Sequence, residues 1–161
     1  MRALAVPILL VLALSACSTG DTGELRLVDT KSSVQLLRNE AWLRLPAVMV
    51  KGDEETNDES VSCDDSGASR SWRASTTALI NNSFAARVDS VATELVDSFV
   101  EQGWSASGST LTKKGSLATI EVATTEKTAD NRASITITTT GPCVPTDGED
   151  SDEVRVLEGR K

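Results

Sequence analysis

Between Phe84 and Phe99 the apolar residues Phe84, Val88, Val91, Leu95 and Phe99 recur at spacings of four, three, four and four. That period is helical and sets all five side chains on one stripe. Arg87, Asp89, Ser90, Glu94, Asp97, Ser98 and Glu101 fall mostly on the other side. The spacing predicts a helix over residues 84–102 that must lay a single apolar face on something else. Asn81-Asn82-Ser83 offers an N-cap before it. Gly103 stands where such a helix turns left-handed, and Trp104 falls where it can pack back on Phe99.

The chain around this helix has a period of two. Trp72, Ala74, Thr76, Ala78 and Ile80 alternate within residues 70–80. Ala118, Ile120 and Val122 do so within 117–125, and Ala133, Ile135 and Ile137 within 133–140. A short strand over 109–113 meets the second of these runs through a Lys114-Gly115-Ser116 turn. A polar loop at 126–131 and the breaker Gly141-Pro142 bound the last run. These patterns predict an α+β fold of two layers: a four-stranded antiparallel sheet (β-α-β-β-β) covered by one long helix. Bridging the ends of the first and last strands would set the four in the order second, third, fourth, first.

An N-terminal helix is expected over 29–45, where Val34, Leu37, Ala41 and Leu45 make the stripe and Pro46 stops it. Leu36, Leu37, Trp42 and Leu43 exceed what one stripe needs, and they either cover an open end of the core or dock a partner. Residues 29–143 then form one domain. Within it, residues 51–65 read as a solvated acidic loop, crowded by Asp53, Glu54, Glu55, Asp58, Glu59, Asp64 and Asp65. Residues 144–161 read as an acidic tail, disordered and dispensable for stability, since Val154, Val156 and Leu157 are too few for a core element.

The first seventeen residues carry a different signal. After Arg2, residues 3–14 are apolar apart from Pro7. As a helix they span about 18 Å, too short for a bilayer core of about 30 Å. This is the pattern of a signal peptide, residues 1–16. Leu14-Ser15-Ala16-Cys17 resembles the lipobox of bacterial lipoprotein precursors. The resemblance implies cleavage before Cys17 and lipid on its thiol: diacylglycerol, with acyl chains of the palmitate kind. Two or more such chains hold a protein stably on a membrane, where one is marginal. Residues 17–28 then read as a flexible tether, and the domain is expected on the outer face of the cell membrane.

With Cys17 lipidated, Cys63 and Cys143 remain. An even pair in an oxidising compartment is expected as a disulfide. Closing a loop of about 80 residues stabilises by about 4.5 kcal/mol in the chain-entropy treatment. Two thiols in a chain with no histidine make a poor metal site, and no metal or cofactor is expected.

The chain has no histidine, so imidazole-based triads are excluded. Its formal charge is −8, or −9 once the segment holding Arg2 is removed, which repels nucleic acid. The acids of 51–65 lack the alternate ligands, glycine and distal glutamate of a calcium loop. Glu94 and Asp97 are three apart on the long helix and read as a solvated face. No residue is assigned a catalytic role. The hydroxyls that alternate outward on the last strands, Thr119, Thr136 and Thr138 with Thr125 and Thr140, form a candidate surface for a polysaccharide or an envelope protein. The expected function is a non-catalytic binding or accessory module. The alternative is a small carboxylate-dependent envelope hydrolase.

The span from Cys63 to Cys143 also resembles small actinobacterial envelope lipoproteins of unknown function, LppA-like ones among them. The shared features are a cysteine before the first strand, the Gly103-Trp104 helix ending, and Thr-Gly-Pro-Cys at 140–143. The resemblance implies an envelope protein and names no chemistry.

Overall fold

The computed structural model describes residues 25–126 and 132–160. Helix α1 runs Leu27–Leu43, followed by strands β1 (Val50–Ser62) and β2 (Ser69–Ile80). A 3-10 helix, Asn82–Arg87, leads into helix α2 (Val88–Val100). Strands β3 (Ser105–Ser107), β4 (Thr110–Thr112), β5 (Thr119–Thr125), β6 (Ala133–Thr140) and β7 (Val144–Pro145) follow, and helix α3 (Asp152–Leu157) comes last.

The sheet has seven strands, which corrects the expected four. Its order is β1-β2-β6-β5-β4-β3, with β7 paired to β2 and every pairing antiparallel. The four expected strands are β2, β4, β5 and β6, and they lie in the expected order within that path. The additions are at the edges. β1 extends the sheet beyond β2, β3 extends it beyond β4 through a two-residue turn, and β7 continues the line of β6 along β2.

β1 is the residue run read as an acidic loop. Its outward face carries Glu55, Asn57 and Glu59, opposite Thr77, Ser75 and Arg73. Its inward face carries Thr56, Asp58 and Ser60. An edge strand polar on both faces has no hydrophobic alternation to reveal it, and charge along an edge discourages pairing with other chains.

The central strands keep the expected faces. Trp72, Ala74, Thr76, Ala78 and Ile80 of β2 are buried, as are Ala133, Ile135, Ile137 and Thr139 of β6 and Ile120 and Val122 of β5. α1 lies over β2 and β6, and α2 lies over β5 and β6. The N–H of Arg26 donates to Asp29 Oδ2 at 3.2 Å, which closes the start of α1. Leu27 is fully buried, so the domain begins before residue 29 and the tether is shorter than expected.

α2 buries Val88, Val91, Leu95 and Phe99, while Phe84 sits one 3-10 turn earlier and is partly covered. Trp104 N–H donates to Phe99 O at 3.1 Å and Gly103 N–H to Val100 O at 2.9 Å, with Gly103 at φ 84°. This is the Schellman ending that the sequence forecasts. It sets the Trp104 ring edge-on to Phe99, centroids 5.5 Å apart.

The tail also joins the fold. Val154 of α3 is fully buried. Ser151 caps α3 by accepting from Val154 N–H. Lys31 Nζ of α1 donates to Leu157 O at 2.6 Å, and Arg26 pairs with Glu153 at 3.5 Å. Val154, the partly buried Leu157 and a set of polar ties dock this helix, and two apolar side chains are too few to show a period.

Candidate functional site

All three helices contact the same side of the sheet. The other side presents the alternate residues of β1, β2, β6 and β5. Across the strands these align as Glu59, Arg73, Thr140 and Thr119, then Asn57, Ser75, Thr138 and Glu121, then Glu55, Thr77, Thr136 and Ala123. The structure therefore brings Thr119, Thr136 and Thr138 onto one surface, with Thr125 and Thr140. Thr77 and Thr136 share a hydroxyl–hydroxyl bond of 3.1 Å. The face also extends across β2, through Arg73, Ser75 and Thr77, which the register against β6 sets beside Thr140, Thr138 and Thr136.

Thr139 belongs to the opposite side. It is fully buried, and its hydroxyl faces Val34 O at 2.9 Å and Ala74 O at 3.2 Å. One threonine of a consecutive run thus ties α1 to the sheet while its neighbours face outward.

Cys63, just past β1, and Cys143, just before β7, are joined in a disulfide with Cα atoms 6.1 Å apart. The bridge lies where β2 begins and β6 ends, since Arg70 pairs with Val144 and Arg73 with Thr140. It closes the open end of the sheet over a sequence separation of 80.

Two carboxylates on the helix side act as hubs. Asp58 accepts from Trp72 Nε1 at 2.8 Å, from Gln35 Nε2 at 2.8 Å and from Arg38 Nη1 at 3.3 Å. Glu158 Oε1 accepts from the Ser60 hydroxyl at 2.5 Å and from Ser60 N–H at 3.2 Å. Arg70, buried beneath, donates to Ser60 Oγ and Ser60 O at 3.0 Å each. Burial pushes the Glu158 carboxyl up. The two Ser60 bonds and the charge and hydrogen bond of Arg160 outweigh it and hold the group below the ordinary range. Ser60 is only 7 % exposed, so this serine–carboxylate contact fastens α3 and is closed to a substrate.

Glu94 and Asp97 are exposed, and Glu94 pairs with Arg87 at 3.8 Å. Among the described residues no group of three or more Cys, Asp or Glu side chains could hold a metal ion. Cys17 and the segment around it lie outside the described residues, as does most of the loop at 126–131. No helix among the described residues is long and apolar enough to cross a membrane.

A groove of about 240 Å³ opens where α1 ends and β1 begins, lined by Trp42, Leu43, Leu45, Ala47, Val50 and Lys51. Leu36, Leu43 and Val48 stand 70 %, 82 % and 69 % exposed. Of Leu36, Leu37, Trp42 and Leu43, the surplus over one helical stripe, Leu36 and Leu43 face solvent, Leu37 is buried in the core, and Trp42 is half-buried beside the groove.

Compared with models of protein families, with curated proteins and with solved structures, the chain matches none.

Proposed function

We propose that this chain is an envelope lipoprotein, related to the small LppA-like ones, in which Cys17 carries the lipid and the domain faces away from the cytoplasm. The domain is a non-catalytic binding module, and its open sheet face meets a cell-envelope polysaccharide. The Leu14-Ser15-Ala16-Cys17 sequence supports the anchor. The Cys63–Cys143 disulfide supports an oxidising location. The observation that carries the binding role is the hydroxyl face. A sheet with helices on one side leaves the Ser and Thr side chains of three strands, β2, β6 and β5, with Arg73 and Glu121 among them and Glu55, Asn57 and Glu59 of β1 at their edge, open to a polyhydroxylated partner.

Two substitutions test the two halves separately. Cys17→Ser is expected to abolish fatty-acid labelling and leave the precursor uncut at that site. A Cys17→Ser protein that still enters the detergent phase at mature size sinks the anchor. Thr138→Lys places a long cation in the middle of the hydroxyl face and is expected to release the protein from isolated cell walls without changing its melting temperature. Undiminished wall binding by Thr138→Lys assigns the contact elsewhere and sinks the binding role of this face.

A further inference from the structure

We propose that the outward face of α1, with the groove at its C-terminal end, rests on an anionic lipid bilayer and holds the hydroxyl face away from the membrane. This inference builds on the lipid anchor at Cys17. In α1, Val34 and Ala41 point into the core. Leu36 and Leu43 each follow one of them by two residues, about 200° around the helix, so they point directly away from the sheet. Both are largely exposed, and Val48 in the following turn joins them. Isolated exposed leucines need no explanation. Here Leu43 lines an apolar groove, and at its rim stands Lys51.

In a chain of charge −8, this places a cation at the rim of the groove that the exposed Leu43 lines. That combination suits a surface of acyl chains and anionic headgroups, and each such cation adds about fivefold to the attraction. Glu40 shares the outward face but is paired with Arg44, which removes its net charge.

Reach selects the bilayer over a soluble partner. Seven residues separate Cys17 from Leu25 and span at most about 25 Å. The seventeen residues of α1 are about 25 Å long. An anchor at one end of the helix therefore holds the whole outward face within touching distance of the lipid. At that effective concentration even a weak contact is occupied. Because the leucines point away from the sheet, the same pose turns Thr136 and Thr138 outward.

The test uses the acylated full chain in vesicles with brominated acyl chains, which quench tryptophan on contact. Trp42 lies at the groove, whereas Trp72 and Trp104 are buried. Quenching is expected in phosphatidylcholine–phosphatidylglycerol vesicles and is expected to disappear in Trp42→Phe. Lys51→Gln should lower the ratio of quenched to unquenched Trp42 about fivefold at low salt. Leu43→Asp, at an exposed position, should remove the quenching while the protein stays on the vesicles. Unquenched Trp42 in protein that floats with the vesicles overturns the proposal and leaves the anchor standing. If the protein does not float, the anchor fails. The same quenching, read with the chain added to excess vesicles, then decides the face: a signal lost in Leu43→Asp supports it, and no signal overturns it.

Discussion

The indole N–H of Trp72, buried at the centre of the sheet, donates at 2.8 Å to the carboxylate of Asp58 on the edge strand. The same carboxylate accepts from Gln35 and Arg38 of α1, and Lys31 of that helix lies 4.4 Å from the Trp72 ring centre. Asp58→Ala strands the indole N–H and leaves Arg38 without its acid. The expected loss is about 1–3 kcal/mol. It reads out as a lower urea midpoint with an unchanged slope. An unchanged midpoint would mean that water replaces the carboxylate at no cost.

Gly141 marks where α1 comes closest to the sheet. A Cβ there would lie 3.1 Å from Thr30 Cβ and 3.2 Å from Val34 Cγ2, both on buried side chains. The Gly141 amide also donates to Trp72 O at 2.9 Å, and its carbonyl accepts from Ser71 Oγ at 2.7 Å, so the backbone is pinned. Gly141→Ala is expected to cost about 1–3 kcal/mol through overpacking. Thermal unfolding gives the measure, and a shift below one degree would show that α1 yields freely.

Removing residues 146–161 is expected to destabilise the domain. It opens the site of Val154 and deprives Ser60 of Glu158 and Lys31 of the Leu157 carbonyl. Val154→Ala alone should cost about 1–3 kcal/mol, between the usual Ile→Val and Leu→Ala losses. A truncated protein with the full-length melting temperature would show that α3 contributes nothing to the fold.

Acid should loosen α3 before the rest of the chain. The Glu158 carboxyl titrates below its ordinary value in the folded protein. Its contribution is complete above the unfolded value and fades as pH falls through the lower folded one. Hydrogen exchange of the α3 amides should therefore accelerate, relative to those of β6, as pH drops below the usual glutamate range. Glu158→Gln should show fast α3 exchange already at neutral pH. Equal α3 protection in the two proteins at neutral pH would rule the carboxylate out as the latch.

What the sequence disclosed divides along one physical line. Residues that reach the core through apolar side chains were legible: the α2 stripe, the alternation of β2, β5 and β6, and the Gly103-Trp104 ending. The cysteine pair was legible too, as the two cysteines that remain once Cys17 is set aside for lipid. β1 and α3 were not, since they join through Asp58, Ser60, Arg70 and Glu158, and polar contacts leave no period in a sequence. The hydroxyl face could be read from Thr136 and Thr138. Its width could not, because it depends on β1 and on the partner register of β2. The outward leucines of α1 were visible as a surplus, but only the structure separates Leu36 and Leu43, in solvent, from the half-buried Trp42.

The edge strand has one more consequence. Its Asp58 N–H is taken by the Asn57 side chain at 2.9 Å, and its Ser60 N–H by Glu158. Copies held in one plane by the anchor proposed at Cys17 would meet often and in similar orientations, conditions under which an open thirteen-residue edge would template its neighbours into ribbons. With two of its amides occupied from within the chain and acids of like sign along its length, β1 refuses its own image. Copies so held would crowd one surface and stay dispersed.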